Sequence, residues 1–154
     1  MWFPPGEWID AWNGSRVHGP TTCVVSQPYE RLPLWHRAGG FVVLSDDRSQ
    51  LSGGRVMKQD WSELAIEAFA GSSCHATPLR TTRQVVERDY VGRTEVTLVQ
   101  EPLRGCDANV TIRIGDGASR GWTIRLHLGA GQRAADVLVD GRAAEHRLLT
   151  PNRA

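Results

Sequence analysis

Gly121-Trp122-Thr123-Ile124-Arg125-Leu126-His127-Leu128 alternates apolar and polar residues without a break. A helix spreads side chains at 3.6 residues per turn, whereas a strand sends successive side chains to opposite faces. Strict alternation over this length therefore predicts a strand, with Trp122, Ile124, Leu126 and Leu128 facing inward. The same period recurs upstream. Val110, Ile112 and Ile114 alternate with Thr111 and Arg113; Thr94, Val96 and Leu98 alternate with Glu95 and Thr97. Leu64, Ile66 and Ala68 alternate with Ala65 and Glu67, which favours a strand over the helix that Asp60 to Ala70 would otherwise allow. Phe41-Val42-Val43-Leu44 is a continuous apolar run, expected of a strand covered on both sides. Val137-Leu138-Val139 closes on Asp140-Gly141, a hairpin-turn dipeptide. Pro4-Pro5-Gly6 reads as a proline–glycine turn, and Asn13-Gly14, Gly19-Pro20, Gly39-Gly40 and Gly53-Gly54 punctuate the rest. Several short strands with regular turns predict an all-β chain built as an antiparallel β-sandwich.

Composition narrows the function. The 154 residues are 40% hydrophobic and 23% charged, with a net charge of +1. No basic patch marks a nucleic-acid footprint. No apolar run approaches the roughly 20 residues of a membrane-spanning helix, so no membrane partner is expected. Met1-Trp2-Phe3-Pro4-Pro5 is too short and too proline-rich for a signal peptide, and its abrupt start suits a chain cut from something longer. Cys23, Cys74 and Cys106 are an odd, widely spaced set. They form neither a disulfide framework nor a zinc site and read as free thiols. Asn13-Gly14-Ser15 and Asn109-Val110-Thr111 are sequons, making Asn13 and Asn109 possible N-glycosylation sites on a secretory route.

Few constellations carry chemistry. Glu87 and Asp89 would lie on one strand face about 6.6 Å apart, near the carboxylate spacing of a retaining glycosidase, but flanking Arg83 and Arg88 read as a solvated edge. Asp46 and Asp47 read as turn formers. Gly129-Ala130-Gly131-Gln132-Arg133-Ala134 matches a dinucleotide fingerprint, yet the next strand starts almost at once and leaves no room for the required helix. His18, His36, His75, His127 and His146 are scattered. No catalytic residue, metal ligand set or cofactor is assigned. Trp2, Trp8, Trp12 and Trp35 suit either a core or a sugar-stacking surface. Arg37, inside an apolar strand, needs backbone carbonyls or an acid as acceptors.

One longer pattern remains. Phe3-Pro4-Pro5-Gly6-Glu7-Trp8-Ile9-Asp10-Ala11-Trp12-Asn13-Gly14 precedes Leu32-Pro33-Leu34-Trp35-His36-Arg37-Ala38-Gly39. In order and distance the pair resembles the segment just after the catalytic barrel of family 31 glycoside hydrolases. The resemblance is carried by Pro5, Gly6, Trp8, Asp10, Trp12, Pro33, Arg37 and Gly39. It departs at Ile9 and Ala11, where aromatic residues are usual, at Val43, and in lacking the Y-x-D-D-G segment of the family's last domain. The resemblance implies a partial proximal C-terminal β-sandwich over residues 1–44, a linker or long loop over 45–60, and a distal β-sandwich over 61–154. It also implies a parent enzyme that hydrolyses α-glycosides with retention. The family's catalytic aspartates lie on barrel strands and have no counterpart here, and a barrel of about 250 residues does not fit in this chain. The expected role is to brace such a barrel, with the face around Trp35 and Arg37 as the contact. The alternatives are a stand-alone carbohydrate-binding module and a protein-interaction sandwich.

Overall fold

The computed structural model describes residues 1–45, 63–71, 80–88, 92–103, 108–115, 120–128 and 132–145. These residues are all β, with no helix among them. The strands are β1 (Trp2–Asp10), β2 (Arg16–Thr22), β3 (Trp35–Arg37), β4 (Gly40–Ser45), β5 (Glu63–Phe69), β6 (Arg80–Arg88), β7 (Gly92–Pro102), β8 (Ala108–Ile114), β9 (Gly121–His127), β10 (Leu138–Val139) and β11 (Arg142–Ala143). The Asp46-Asp47 turn, Cys74-His75, Asp89, Cys106, the first half of the dinucleotide-like loop and His146 lie outside the described residues.

Three sheets of three strands stack in layers, ordered β2-β1-β3, β4-β5-β9 and β6-β7-β8. The main core lies between the second and third. Phe41, Leu64, Ile66 and Ala68 meet Val86, Val96 and Leu98, with Val43, Val110, Ile112, Ile114 and Trp122 packed around them. A smaller core joins the first sheet to the other face of the second through Ile9, Ala38, Phe69 and Val42. The middle sheet is thus covered on both sides at β5. Ala65 and Phe69 are as buried as Ile66 and Ala68, where alternation alone predicted one buried face. Thr94, Val96 and Leu98 of β7 follow the predicted alternation and are buried, and buried Gln100 continues the same face.

Among the described residues all ladders are antiparallel except one: β5 and β9 run parallel, from Glu63↔Gly121 to Phe69↔His127. A parallel pair needs a long crossover. Here the chain leaves β5, builds β6, β7 and β8 in the facing layer, and returns beside β5 in the same direction. The β4–β5 ladder, Gly40↔Phe69 to Ser45↔Leu64, joins the end of the 1–44 stretch to the start of the 61–154 stretch in one sheet.

Two expected turns are strand interior instead. Pro4 and Pro5 lie inside β1 where the β1–β2 register shifts between Phe3 and Gly6. An irregularity of this kind accommodates residues that cannot donate to a ladder. Gly19-Pro20 lies within β2, at a sheet edge, with a cis peptide bond. Gly6 pairs with Gly19, and a Cβ on Gly19 would collide with the Pro4 carbonyl oxygen. The two backbones approach more closely there than any side chain permits. Asp140-Gly141 behaves as predicted. Both residues have positive φ, the requirement of a two-residue hairpin turn, and they join β10 to β11.

Candidate functional site

The two halves of the N-terminal motif meet in space. Trp8 pairs with Arg37 and Asp10 with Trp35 across the β1–β3 ladder. Gly6 has φ +129°, a region closed to most side chains, and leaves room for the Arg37 guanidinium to lie against it. Arg37 Nη2 donates to the Pro5 carbonyl at 3.0 Å. The arginine therefore clamps a backbone carbonyl, one of the two acceptors its sequence context demanded, and remains exposed. Trp8 Nε1 donates to Pro4 O at 2.9 Å. Phe3 packs edge-on against Trp35, with ring centroids 4.8 Å apart, and tilted against Trp8 at 6.2 Å.

Asp10 is buried and fully engaged. Its Oδ1 accepts from Trp12 N at 2.7 Å and its Oδ2 from Gln27 Nε2 at 2.8 Å. It shapes the turn that carries Asn13 and Gly14, where Asn13 Oδ1 in turn accepts from Ser15 N at 2.7 Å. Trp12 Nε1 reaches the Leu32 carbonyl at 2.8 Å, and Arg31 lies 5.6 Å from its ring centre. Pro33 and both its leucine neighbours are exposed, Leu32 at 82% and Leu34 at 46%. Gly39 is buried and donates to Phe69 O, tying the motif's end to β5. Asn109 is exposed on β8, far in sequence from this corner, with its amide 3.5 Å from Glu101 Oε2.

Two further clusters had no signal in the spacing of the sequence. In the first, His36 and His127 stack on opposite sides of Phe69, with centroid distances of 4.0 and 4.5 Å and nearly parallel rings. Glu67 lies 3.5 Å from His127 Nε2 and 3.6 Å from Arg125. Burial holds the His36 pKa below the ordinary 6.5, and the neighbouring His127 adds to that, while Glu67 opposes it. In the second, Arg16 bridges sheets. Nη1 meets the buried Glu7 at 2.7 Å and Nη2 donates to Ala70 O at 2.9 Å. From the facing layer, buried Gln100 accepts from Gly71 N at 2.9 Å and donates to Gly71 O at 3.3 Å. His127 belongs to the polar face of β9 as the alternation required, yet its ring is only 32% exposed, stacked on Phe69 of the adjacent strand.

Glu7 and Glu67 are paired with basic groups of their own sheets, and Asp10 with donors from the turn after β1 and the loop after β2, contacts that fix local geometry. Among the described residues, no group of three or more His, Cys, Asp or Glu is placed to hold a metal ion, and no helix is long and apolar enough to cross a membrane. Cys23 is a half-buried free thiol. Compared with known proteins, the chain matches no family model and no curated protein.

Proposed function

We propose that this chain is a non-catalytic β unit that braces the catalytic (β/α)8 barrel of an α-glycosidase resembling family 31, whose parent activity is retaining hydrolysis of α-glycosidic bonds. The observation that carries the reading is convergence. The residues of the two motif halves hold one another in a single corner, through Arg37 to Pro5, Trp12 to Leu32 and the Trp8–Arg37 pair. Beside that corner lie Trp12, Leu32 and Leu34, all substantially exposed. Trp35 Nε1 is buried and meets no acceptor among the described residues. Contiguous exposed apolar surface suits a face that a neighbouring domain covers.

A sugar-stacking platform fits less well. Trp2, 62% exposed, and Trp12, 46% exposed, lie at opposite ends of β1, about 30 Å apart along an extended strand. Trp8 and Trp35 between them are half-buried against Phe3.

The genomic reading frame around the Met1 codon tests the proposal. A barrel of about 250 residues encoded in frame or in the adjoining gene is the expected result; neighbourhoods without one overturn it. The purified chain should show no turnover of an α-glucoside reporter. Saturable quenching of its tryptophan fluorescence by α-glucan oligosaccharides would point to the carbohydrate-binding alternative instead.

A further inference from the structure

We infer that β9 is a dimerisation edge, pairing antiparallel with β9 of a second copy of this chain about a twofold axis through Ile124. The middle sheet has two edges, and they are treated differently. At β4, Thr82 Oγ1 donates to Gly39 O at 2.9 Å and Gln84 Nε2 donates to Phe41 O at 2.6 Å, so side chains from β6 occupy edge carbonyls. At β9, no strand among the described residues pairs on the side away from β5.

The unpaired groups can be identified. His127 directs its carbonyl to Ala70, on the β5 side. A strand residue points its N–H and C=O to one side and its neighbours to the other. Thr123, Arg125 and His127 therefore address β5, whereas Trp122, Ile124 and Leu126 present theirs to the open edge. Ile124 is 48% exposed and Leu126 38%, although alternation predicted both inside. Edge strands usually carry charge, proline or a bulge that discourages pairing. β9 has no proline, its ladder with β5 is regular, and its single charged residue, Arg125, is turned to Glu67 at 3.6 Å.

A second copy fits because the strand is self-compatible. Centring on Ile124 sets Trp122 against the partner's Leu126 and Thr123 against the partner's Arg125. Apolar residues then pair on one face and no like charges oppose on the other. The result is a six-stranded middle sheet with an isologous interface. The axis at Ile124 lies on the edge of the middle sheet, whereas the corner around Arg37 belongs to the first, so a failure to dimerise leaves the bracing role untouched.

Sedimentation of the full chain should show a concentration-dependent monomer–dimer equilibrium. Ile124→Lys places two ammonium groups opposite each other at the axis and should weaken the dimer roughly 100-fold, with the β-type circular dichroism unchanged. Val24→Lys, at a position 96% exposed, should leave it unaltered. Ile124→Cys supplies a test that does not depend on that variant folding. Facing α-carbons in such a pair lie about 5.5 Å apart, within disulfide reach. Mild oxidation should give a 124–124 cross-link identifiable by peptide mapping. Leu126→Cys should not cross-link to itself, because its copies are about 13 Å apart along the strand. A monomer at all concentrations, a dimer indifferent to Ile124→Lys in folded protein, or the absence of the 124–124 cross-link overturns the inference.

Discussion

Phe69 shows how much one side chain can hold. It is fully buried at the end of β5, belongs to the core shared by two sheets, and is the plate on which His36 and His127 both stack. Truncation to alanine removes the apolar contact and both ring faces together. The expected loss is about 3–5 kcal/mol, near the upper range for core truncations because three elements lose a partner. It should appear as a lower urea midpoint with an unchanged slope. His36 adds a pH dependence. Its folded pKa lies below 6.5, chiefly through burial, so between the two values the unfolded chain binds more protons than the folded one. The contribution of His36 is therefore complete above about pH 6.5 and declines as the pH falls toward the lowered folded value. Urea titrations across that window should show a shallower acid loss in His36→Gln than in the parent chain. Equal slopes would mean that the ring titrates in the fold as it does in water.

At the scale of the element, β1 depends on one glycine. With φ at +129° and the Arg37 guanidinium 3.0 Å from where a Cβ would sit, Gly6 leaves no strain-free place for a side chain. Gly6→Ala should cost about 1–3 kcal/mol and should also displace Arg37 from the Pro5 carbonyl. Arg37→Ala should cost less, since that group is exposed and the backbone beneath it is unstrained by its loss. Thermal melts of the two variants give the order directly. The strands themselves were legible because a two-residue period has no other simple explanation, and β7 follows it closely, whereas the β10–β11 hairpin was marked by its Asp140-Gly141 turn. Burial was less legible. β9 carries the cleanest alternation in the chain, yet Ile124 and Leu126 stay exposed because β9 lies at an edge, which a local pattern does not encode. Pro4-Pro5 and Gly19-Pro20 looked like turns for a related reason. Proline breaks a ladder only where its missing N–H is required, and an edge strand or a bulge does not require it. The His36–Phe69–His127 stack and the Arg16–Ala70 bridge were invisible, since residues far apart in the chain meet there only through the layering of sheets.

For the whole molecule, that layering turns on the end of β5. Arg16 from the first sheet grips Ala70 O, and Gln100 from the third grips both polar backbone groups of Gly71. Three sheets are thus tied to two consecutive residues, and the β4–β5 ladder already carries hydrogen bonds between the 1–44 and 61–154 stretches. If this junction couples the layers, the described sheets unfold together. Four of the six tryptophans, Trp2, Trp8, Trp12 and Trp35, lie in and around the first sheet, so with Trp61 and Trp122 replaced by phenylalanine the fluorescence reports its loss, and far-UV circular dichroism reports all strands. The two transitions should coincide; a fluorescence transition preceding the other would show the first sheet to be a separate unit. The junction can be tested more sharply. Gln100→Leu strips the Gly71 N–H of its partner and leaves Gly71 O only Gln132 Nε2 at 3.5 Å, and should cost about 1–3 kcal/mol. Arg16→Met removes the ion pair from buried Glu7 as well as the bond to Ala70, and should cost about 3–5 kcal/mol. Because both act through adjacent residues just after β5, the double variant should lose less than the sum, with a coupling of about 0.5–3 kcal/mol. Simple additivity would mean that the two grips are independent, and that the first sheet merely rests on the second.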